Sequence, residues 1–507
     1  MSMQSAQPLT RWWALTRGDV DATVAQVGLN LAQMIIPVFL LLPAGISAAF
    51  STTHLLPGYA LGFLVGSLGL AFLGIQLGRR QARSDVTSHV YGNNVPAILA
   101  YTLSIMLPVY LDQHDPVLAW EIAAAAVIWT GLIKLAMAPF ARRLRAIIPV
   151  PASMTVFGTA MYSYLALILL QRLFDNPIVG LVALAIVSAA VLARLRVTRW
   201  GIPPFLVVWL IPLAIGLAIG YVRPTWQGIA PTVPWAVSLG LLQALPKVAP
   251  FFSVVIPMAV YQVLQDIAAV EGGASAGDEY DARWVVFWDG LGTLVCGLAG
   301  SIITPVVYAL HPPYKAMGAR IGFQVWTPVV FLPIVSLGLA MFTSQLFPWP
   351  ILAAMIAYVA IGVGMATLGR VPRNYHNAVL LGFVIPAGVV VMSALNSVLP
   401  ALGLSAADPA VTQALNRSVY WASIQGLGNG FLFLVLIVSA SVTELIDRHF
   451  EKAAAWCLVA AGLSWLGLLH SARFGWAAAP QYALGWLGAA VVMYTARWWA
   501  SRSQSQA

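Results

Sequence analysis

The stretch VVYALHPPYKAMGAR, Val306 to Arg320, decides how this chain is read. It sits in apolar surroundings and yet carries a histidine, two consecutive prolines, a lysine and an arginine. Proline removes an amide donor and disfavours helix at the residue before it. Non-helical backbone at membrane depth persists only where protein or water satisfies its hydrogen bonds. The stretch therefore predicts a membrane span broken at a point where something other than lipid meets the backbone.

The rest of the chain supplies the membrane. Of 507 residues, 60% are hydrophobic and 8% charged, and mean hydropathy is +0.85. A soluble fold cannot hide that much apolar surface. Apolar runs of about 20 residues, each able to cross a hydrocarbon core of roughly 30 Å, recur from end to end. Spans are expected near 24–45, 56–78, 93–112, 117–138, 149–171, 177–195 and 203–221. A second series follows near 249–270, 284–302, 304–320, 322–346, 350–369, 377–399 and 416–440, with extra apolar runs near 453–470 and 480–499. The expected fold is an all-α polytopic membrane protein with fourteen core spans and up to two more at the C-terminus.

Charge sets the topology. The basic clusters GRRQAR (78–83), ARRLR (141–145) and RLRVTR (194–199) follow alternate spans, so these loops and both termini are expected in the cytoplasm. The net charge of +9 is thereby topological and does not call for nucleic acid. The N-terminus lacks the pattern of a cleaved secretory signal, so the first span is expected to be retained. Tryptophans at predicted edges, among them Trp12, Trp13, Trp349, Trp498 and Trp499, fit interfacial belts. The two cysteines, Cys296 and Cys457, lie in apolar runs and read as buried thiols. The acidic loop EGGASAGDEYDAR (271–283) reads as a solvated turn.

Seven spans followed by seven places the second set in the opposite orientation, the inverted repeat of many secondary transporters. Two echoes support it. VYGNNVP (90–96) resembles VYALHPP (307–313), with Tyr91 over Tyr308 and Pro96 over Pro313. LNLAQMI (29–35) resembles YQVLQDI (261–267). The expected organisation is a cytoplasmic segment 1–23, repeats 24–221 and 222–440, and a C-terminal region 441–507.

Polar residues fall at matching places in both halves. Gln26, Asn30 and Gln33 line one face of span one; Gln262, Gln265 and Asp266 share a face of span eight. An aspartate at a helix centre costs about 2.5–3.5 kcal/mol on insertion scales, so it is tolerated facing a partner or a watery cavity. The amides serve equally as interhelical glue or as ligand contacts. Asp289, near the start of span nine, is expected to cap that helix or neutralise a neighbouring base. Lys315 and Arg320 read chiefly as cytoplasmic anchors. His54, His89, His114, His376, His449 and His470 take solvated or interfacial positions by default.

TRGDVDATVAQVGLNLAQMI (16–35), SHVYGNNVPAILAYTLSIMLPVY (88–110) and WDGLGTLVCGLAGSIITPVVY (288–308) resemble the xanthine/uracil permeases of the nucleobase–ascorbate transporter superfamily, AzgA-like purine permeases most of all. The resemblance implies core and gate domains, substrate held between spans one, three, eight and ten, import of a nucleobase by proton symport, and a homodimer. The chain departs from the family at span ten, where Leu310 stands at the position of a glutamate, and at span eight, where the carboxylate position falls on Gln265 or Asp266.

The function expected is a proton-coupled secondary active transporter of a small polar solute, a purine or pyrimidine nucleobase, in the bacterial inner membrane. The alternative on the same fold is an organic or inorganic anion transporter. The substrate-binding set is Asn30, Gln33, Asn93, Asn94, Gln262, Gln265, Asp266, Tyr308 and His311, with Asp266 and His311 carrying the proton. No cofactor, metal or nucleic acid is expected; the partners are the solute, a proton or other coupling ion, and membrane lipid. Motifs of hydrolytic or phosphate-binding enzymes are missing from the sequence, so an enzyme or a channel ranks below a carrier.

Overall fold

Apolar runs punctuated by proline and glycine become helices that stop and restart, and the computed structural model follows that punctuation. It describes residues 15–165, 167, 170–189, 204–225, 231, 239–406 and 408–504. The spans expected near 177–195 and 203–221 are described in part, while the basic loop 194–199 and Arg11, Trp12 and Trp13 lie outside the described residues. Among the described residues, six stretches are long and apolar enough to cross a membrane: Arg17–Ala44, Ala48–Gln81, Val95–Gln113, Pro116–Ile147, Leu239–Ser275 and Arg373–Asn396. A seventh is bent by 75° between Trp421–Gly428 and Phe431–Ile446. Phe72, Val384, Leu484 and Val491 are exposed, as befits a surface that meets lipid.

The helices that build the site are α1 (Arg17–Met34), α2 (Pro57–Gln81), α3 (Val95–Tyr101), α4 (Pro116–Met137), α5 (Phe252–Ser275), α6 (Ala282–Leu298), α7 (His311–Ala316) and α8 (Gly322–Ser336). Two strands, β1 (Val90–Asn93) and β2 (Pro305–Tyr308), run before α3 and α7. They pair antiparallel in the register Val90↔Tyr308, Tyr91↔Val307, Gly92↔Val306 and Asn93↔Pro305. Both predicted breaks are therefore present, and each strand satisfies the backbone of the other. The two following helices start one residue out of step with the echo, after Asn94, which caps its helix, and after Leu310, whose side chain makes no capping bond.

The chain divides into two compact units. The first comprises residues 1–143, 172–248 and 262–355. Small residues set its helix spacing. A Cβ at Gly62, Gly66 or Gly69 of α2 would lie 2.1–2.2 Å from Cys296, Tyr91 or Trp288. The glycines of WDGLGTLVCG act likewise: a Cβ at Gly292 would meet the Tyr91 hydroxyl at 2.5 Å. Helices approach this closely only where side chains are missing.

The second unit comprises residues 144–171, 249–261 and 356–507. The two extra apolar runs form helices Phe450–Trp465 and Pro480–Gln504, packed through Ala454, Cys457 and Ala490. The bend before Phe431 turns on Gly430, at φ +73°, where a Cβ would sit 2.3 Å from the Leu468 carbonyl oxygen. His470 closes this break: its backbone N–H donates to Asn429 O at 2.9 Å, and its ring bonds Gly426 O at 2.5 Å.

Candidate functional site

The site forms where β1 and β2 cross between α1 and α5. Thr16 and Asp19 form a reciprocal capping box at the start of α1. The second Asp19 oxygen accepts from the amides of Arg320 at 2.8 Å and Phe323 at 3.2 Å, so one carboxylate fixes α1 to the chain beyond α7. With that end fixed, α1 presents Gln26, Asn30 and Gln33, all fully buried, to the strands. Gln26 Nε2 donates to the Tyr91 carbonyl. Asn30 Oδ1 accepts from Asn93 N at 3.1 Å, and its backbone carbonyl from Asn93 Nδ2 at 2.8 Å. Gln33 Oε1 accepts from the Tyr308 hydroxyl at 2.9 Å, and that hydroxyl also lies 2.6 Å from Asn93 O. Gly92 makes the crossing possible, since a Cβ there would lie 2.7 Å from both Asn30 Oδ1 and the Tyr308 ring.

Helix α5 closes the other side. Asn94 caps α3 through Ala97 N at 3.1 Å and donates from Nδ2 to Gln265 Oε1 at 3.2 Å. Asp266 Oδ1 accepts from Val307 N at 3.3 Å. Its Oδ2 meets no donor among the described residues, and its carboxyl adjoins that of Asp289. Asn30, Asn93, Asn94, Gln33, Gln265, Asp266 and Tyr308 thus converge on one crossing. Among the described residues, Asn30 Nδ2, Gln33 Nε2 and Gln265 Nε2 are buried there without an acceptor, and Asn93 Oδ1 without a donor. Buried polar groups are nearly always paired, so such a set marks a place for a further ligand or water.

The helix starts contribute fewer donors than a break normally gives. An N-terminus leaves its first amides unpaired. Here Pro96, Pro312 and Pro313 have no N–H, and Ala97 N is already capped. Polar recognition at the crossing therefore falls mainly to side-chain amides.

Lys134, which no motif of the sequence marks, is central. Fully buried near the end of α4, its ammonium pairs with Asp289 Oδ2. It also donates to Gln262 Oε1 at 3.1 Å and Thr293 Oγ1 at 3.0 Å. Asp289 Oδ1 accepts from the Tyr91 hydroxyl at 3.0 Å. Asp289 thus neutralises a neighbouring base, one of the two roles expected of it. The signal was visible: a lysine inside GLIKLAMA and an aspartate inside WDGLGT are two opposite charges in apolar runs.

His311 goes elsewhere. Its Nε2 lies 2.9 Å from Asp278 Oδ2, in the loop after α5, and its partner is that carboxylate and not Asp266. Lys315 Nζ donates to Asp278 Oδ1 at 2.7 Å, and Arg83 reaches the same oxygen at 3.2 Å. The Thr87 amide adds a bond at 3.1 Å. Burial alone would push the Asp278 carboxyl up; the bonds from His311, Lys315 and Thr87 outweigh it and bring it down to about 2. The loop read as a solvated turn is therefore partly helical to Ser275 and anchored by a buried carboxylate. His89, expected at a solvated or interfacial position, is fully buried between His311 and Tyr280, with ring centroids at 5.0 and 4.4 Å.

An apolar cavity of about 440 Å³, lined by Val24, Val27, Leu31, Trp209 and Phe347 among others, lies on a different face of α1. None of the candidate residues lines it.

No family model and no curated relative matches the sequence. Solved structures do match. The transmembrane domain of a cyanobacterium bicarbonate transporter, BicA, aligns at TM-score 0.48 and 15% identity over 76% of this chain and 97% of that one. SLC26A9 aligns at 0.50 and 14% identity over 76% of this chain and 65% of its own. Murine Slc26a9, described as an anion transporter in the inward-facing state, aligns at 0.46 and 13% identity, covering 78% and 71%. At these identities the likeness is one of fold: the chain is a mostly helical, multi-pass membrane protein with the inverted-repeat architecture of membrane transporters.

Proposed function

We propose that this chain is a secondary active transporter that moves a small anion by alternating access, with a proton carried on Asp266. The observation that carries the reading is the set of three amide donors at the strand crossing, on Asn30, Gln33 and Gln265, that meet no acceptor among the described residues, beside the open acceptors Asn93 Oδ1 and Asp266 Oδ2. A buried donor left unpaired costs about 1–3 kcal/mol, which an electron-rich solute relieves. Leu310 stands where the permease resemblance places a glutamate, so that position adds no carboxylate. The cations around the crossing are already engaged: Lys134 with Asp289, Lys315 with Asp278. An anion beside an ionised Asp266 is repelled, so binding favours the protonated carboxyl, and the two loads travel together. The inverted-repeat fold supports a carrier over a channel or a membrane-embedded enzyme.

A second reading, a nucleobase substrate, draws on Asp266 itself. A carboxylate oxygen with no donor, close to side-chain amides, suits the edge of a planar base. Counterflow in proteoliposomes against a panel of small anions, purines and pyrimidines decides between them. The expected result is that an anion drives counterflow, that uptake rises as external pH falls, and that Asp266→Asn removes the pH response. Competition by a nucleobase and by no anion would install the second reading. An Asp266→Asn protein with unchanged uptake and pH response would remove Asp266 from the mechanism.

A further inference from the structure

The ammonium of Lys134 is surrounded by oxygen. A carboxylate oxygen of Asp289, the amide oxygen of Gln262 at 3.1 Å and the hydroxyl oxygen of Thr293 at 3.0 Å converge on it, and the side chain is fully buried. The ligands come from α5 and α6, while α4 supplies the amine. Gly290 permits the approach, since a Cβ there would lie 3.2 Å from Lys134 Cβ. The three N–H groups of the ammonium are thus met by one carboxylate and two neutral oxygens. Carboxylate, carbonyl and hydroxyl oxygens are the donors that hard cations take.

We infer that Lys134 is a built-in cation, its ammonium filling an oxygen cage that would otherwise hold Na⁺ or a similar monovalent ion. The bearing on coupling rests on the transporter reading above; the cage itself does not. With the cage filled from within, the natural protein needs no metal cation. The carboxyl of Asp266, beside the compensated Asp289, then remains as the place for a mobile charge.

The test is thermal unfolding of the purified full-length protein in detergent, in choline chloride against lithium, sodium and potassium chloride at equal ionic strength. The natural protein is expected to unfold at one temperature in all four. Lys134→Ala empties the cage and leaves Asp289 uncompensated. It is expected to unfold earlier in choline and to regain several degrees in Na⁺ or Li⁺, with saturation, as binding to the native state requires. The double variant Lys134→Ala with Asp289→Asn is expected to fold and to ignore the cation. Selective stabilisation of the natural protein by Na⁺ would overturn the inference. So would a Lys134→Ala protein that responds to no cation, or one recovered unfolded in every salt, whatever the double variant does. Uptake is a separate arm: Na⁺-independent for the natural protein, Na⁺-dependent for Lys134→Ala. Failure of the natural protein to move any solute would sink the transporter reading and leave the thermal result standing.

Discussion

Asp266 and Asp278 lie twelve residues apart on either side of the end of α5, and both are buried, yet their partners differ in kind. Asp278 gathers more positive charge than it carries. Lys315, Arg83 and the His311 ring all reach it, and Lys315 and Arg83 keep contact with the surface, at 19% and 31% exposure. Asp266 meets one backbone amide and the carboxyl of Asp289, whose countercharge, Lys134, is already shared. The first cluster is a fastener: it ties the loop after α5 to the segment before β1 and to α7. The second has two carboxyls for one ammonium, an imbalance that apolar surroundings do not tolerate without a proton or another ligand.

The comparison is broken most directly at Lys134. Lys134→Met leaves Asp289 buried without its countercharge and is expected to cost about 3–5 kcal/mol, whereas Lys134→Met with Asp289→Leu recovers most of it. Thermal unfolding of the two variants measures the difference. Methionine also fills the cage, so Na⁺ should not rescue Lys134→Met as it rescues Lys134→Ala. A single variant as stable as the natural protein would mean that Asp289 is not held by this pair.

A second change sharpens the contrast without touching a charge. Gly92→Ala places a methyl 2.7 Å from Asn30 Oδ1 and the Tyr308 ring. Overpacking of this kind costs about 1–3 kcal/mol. It should abolish uptake while the Asp278 cluster stays protected from amide exchange. Equal loss of protection at both clusters would show that they move as one.

Asp278→Asn is expected to do less to global stability, because Lys315 and Arg83 reach the surface and can turn to water, with a local cost of about 1–3 kcal/mol for the buried His311 and Thr87 groups left behind. Its effect should appear as faster amide exchange over 276–281 and 311–316. The pH dependence follows from the lowered carboxyl. Its folded value of about 2 lies below the ordinary 3.8, so its contribution is complete above that ordinary value and fades as pH falls towards 2. Exchange protection of this loop should be flat between pH 8 and pH 5. Loss of protection on that plateau would show that a group other than Asp278 controls the loop.

The membrane, the two breaks and the amide faces of α1 and α5 were legible because each is a local pattern: apolar length, proline against an apolar run, and polar residues at helical spacing. What pairs with what was not. Lys134 and Asp289 stand 155 residues apart, and only the packing of α4 on α6 brings them together. Asp278 sits in a segment whose composition is that of a solvated turn. It is buried because Thr87, Arg83, His311 and Lys315 arrive from two other parts of the chain. His470 reads from the sequence as solvated or interfacial, but its loop folds back onto the bend at Gly430, and no local pattern around it announces that contact.

The smallest effect tests where the fastener ends. Asp85 bonds Arg83 at 2.9 Å and lies 3.9 Å from Lys315, but its side chain is 60% exposed. Exposed pairs contribute between nothing and about 1 kcal/mol and are screened by salt. Asp85→Asn should therefore change unfolding by less than about 1 kcal/mol at low salt and by nothing measurable at high salt. Asp278→Asn, whose carboxylate is shielded from solvent, should keep its effect in both. If the two variants respond to salt alike, the buried bond network and the surface pair are one electrostatic unit, and the contrast between a protected fastener and a solvated rim fails. If they differ, the carboxylate that holds α7 is Asp278 alone, and Asp85 only draws Arg83 and Lys315 into its reach.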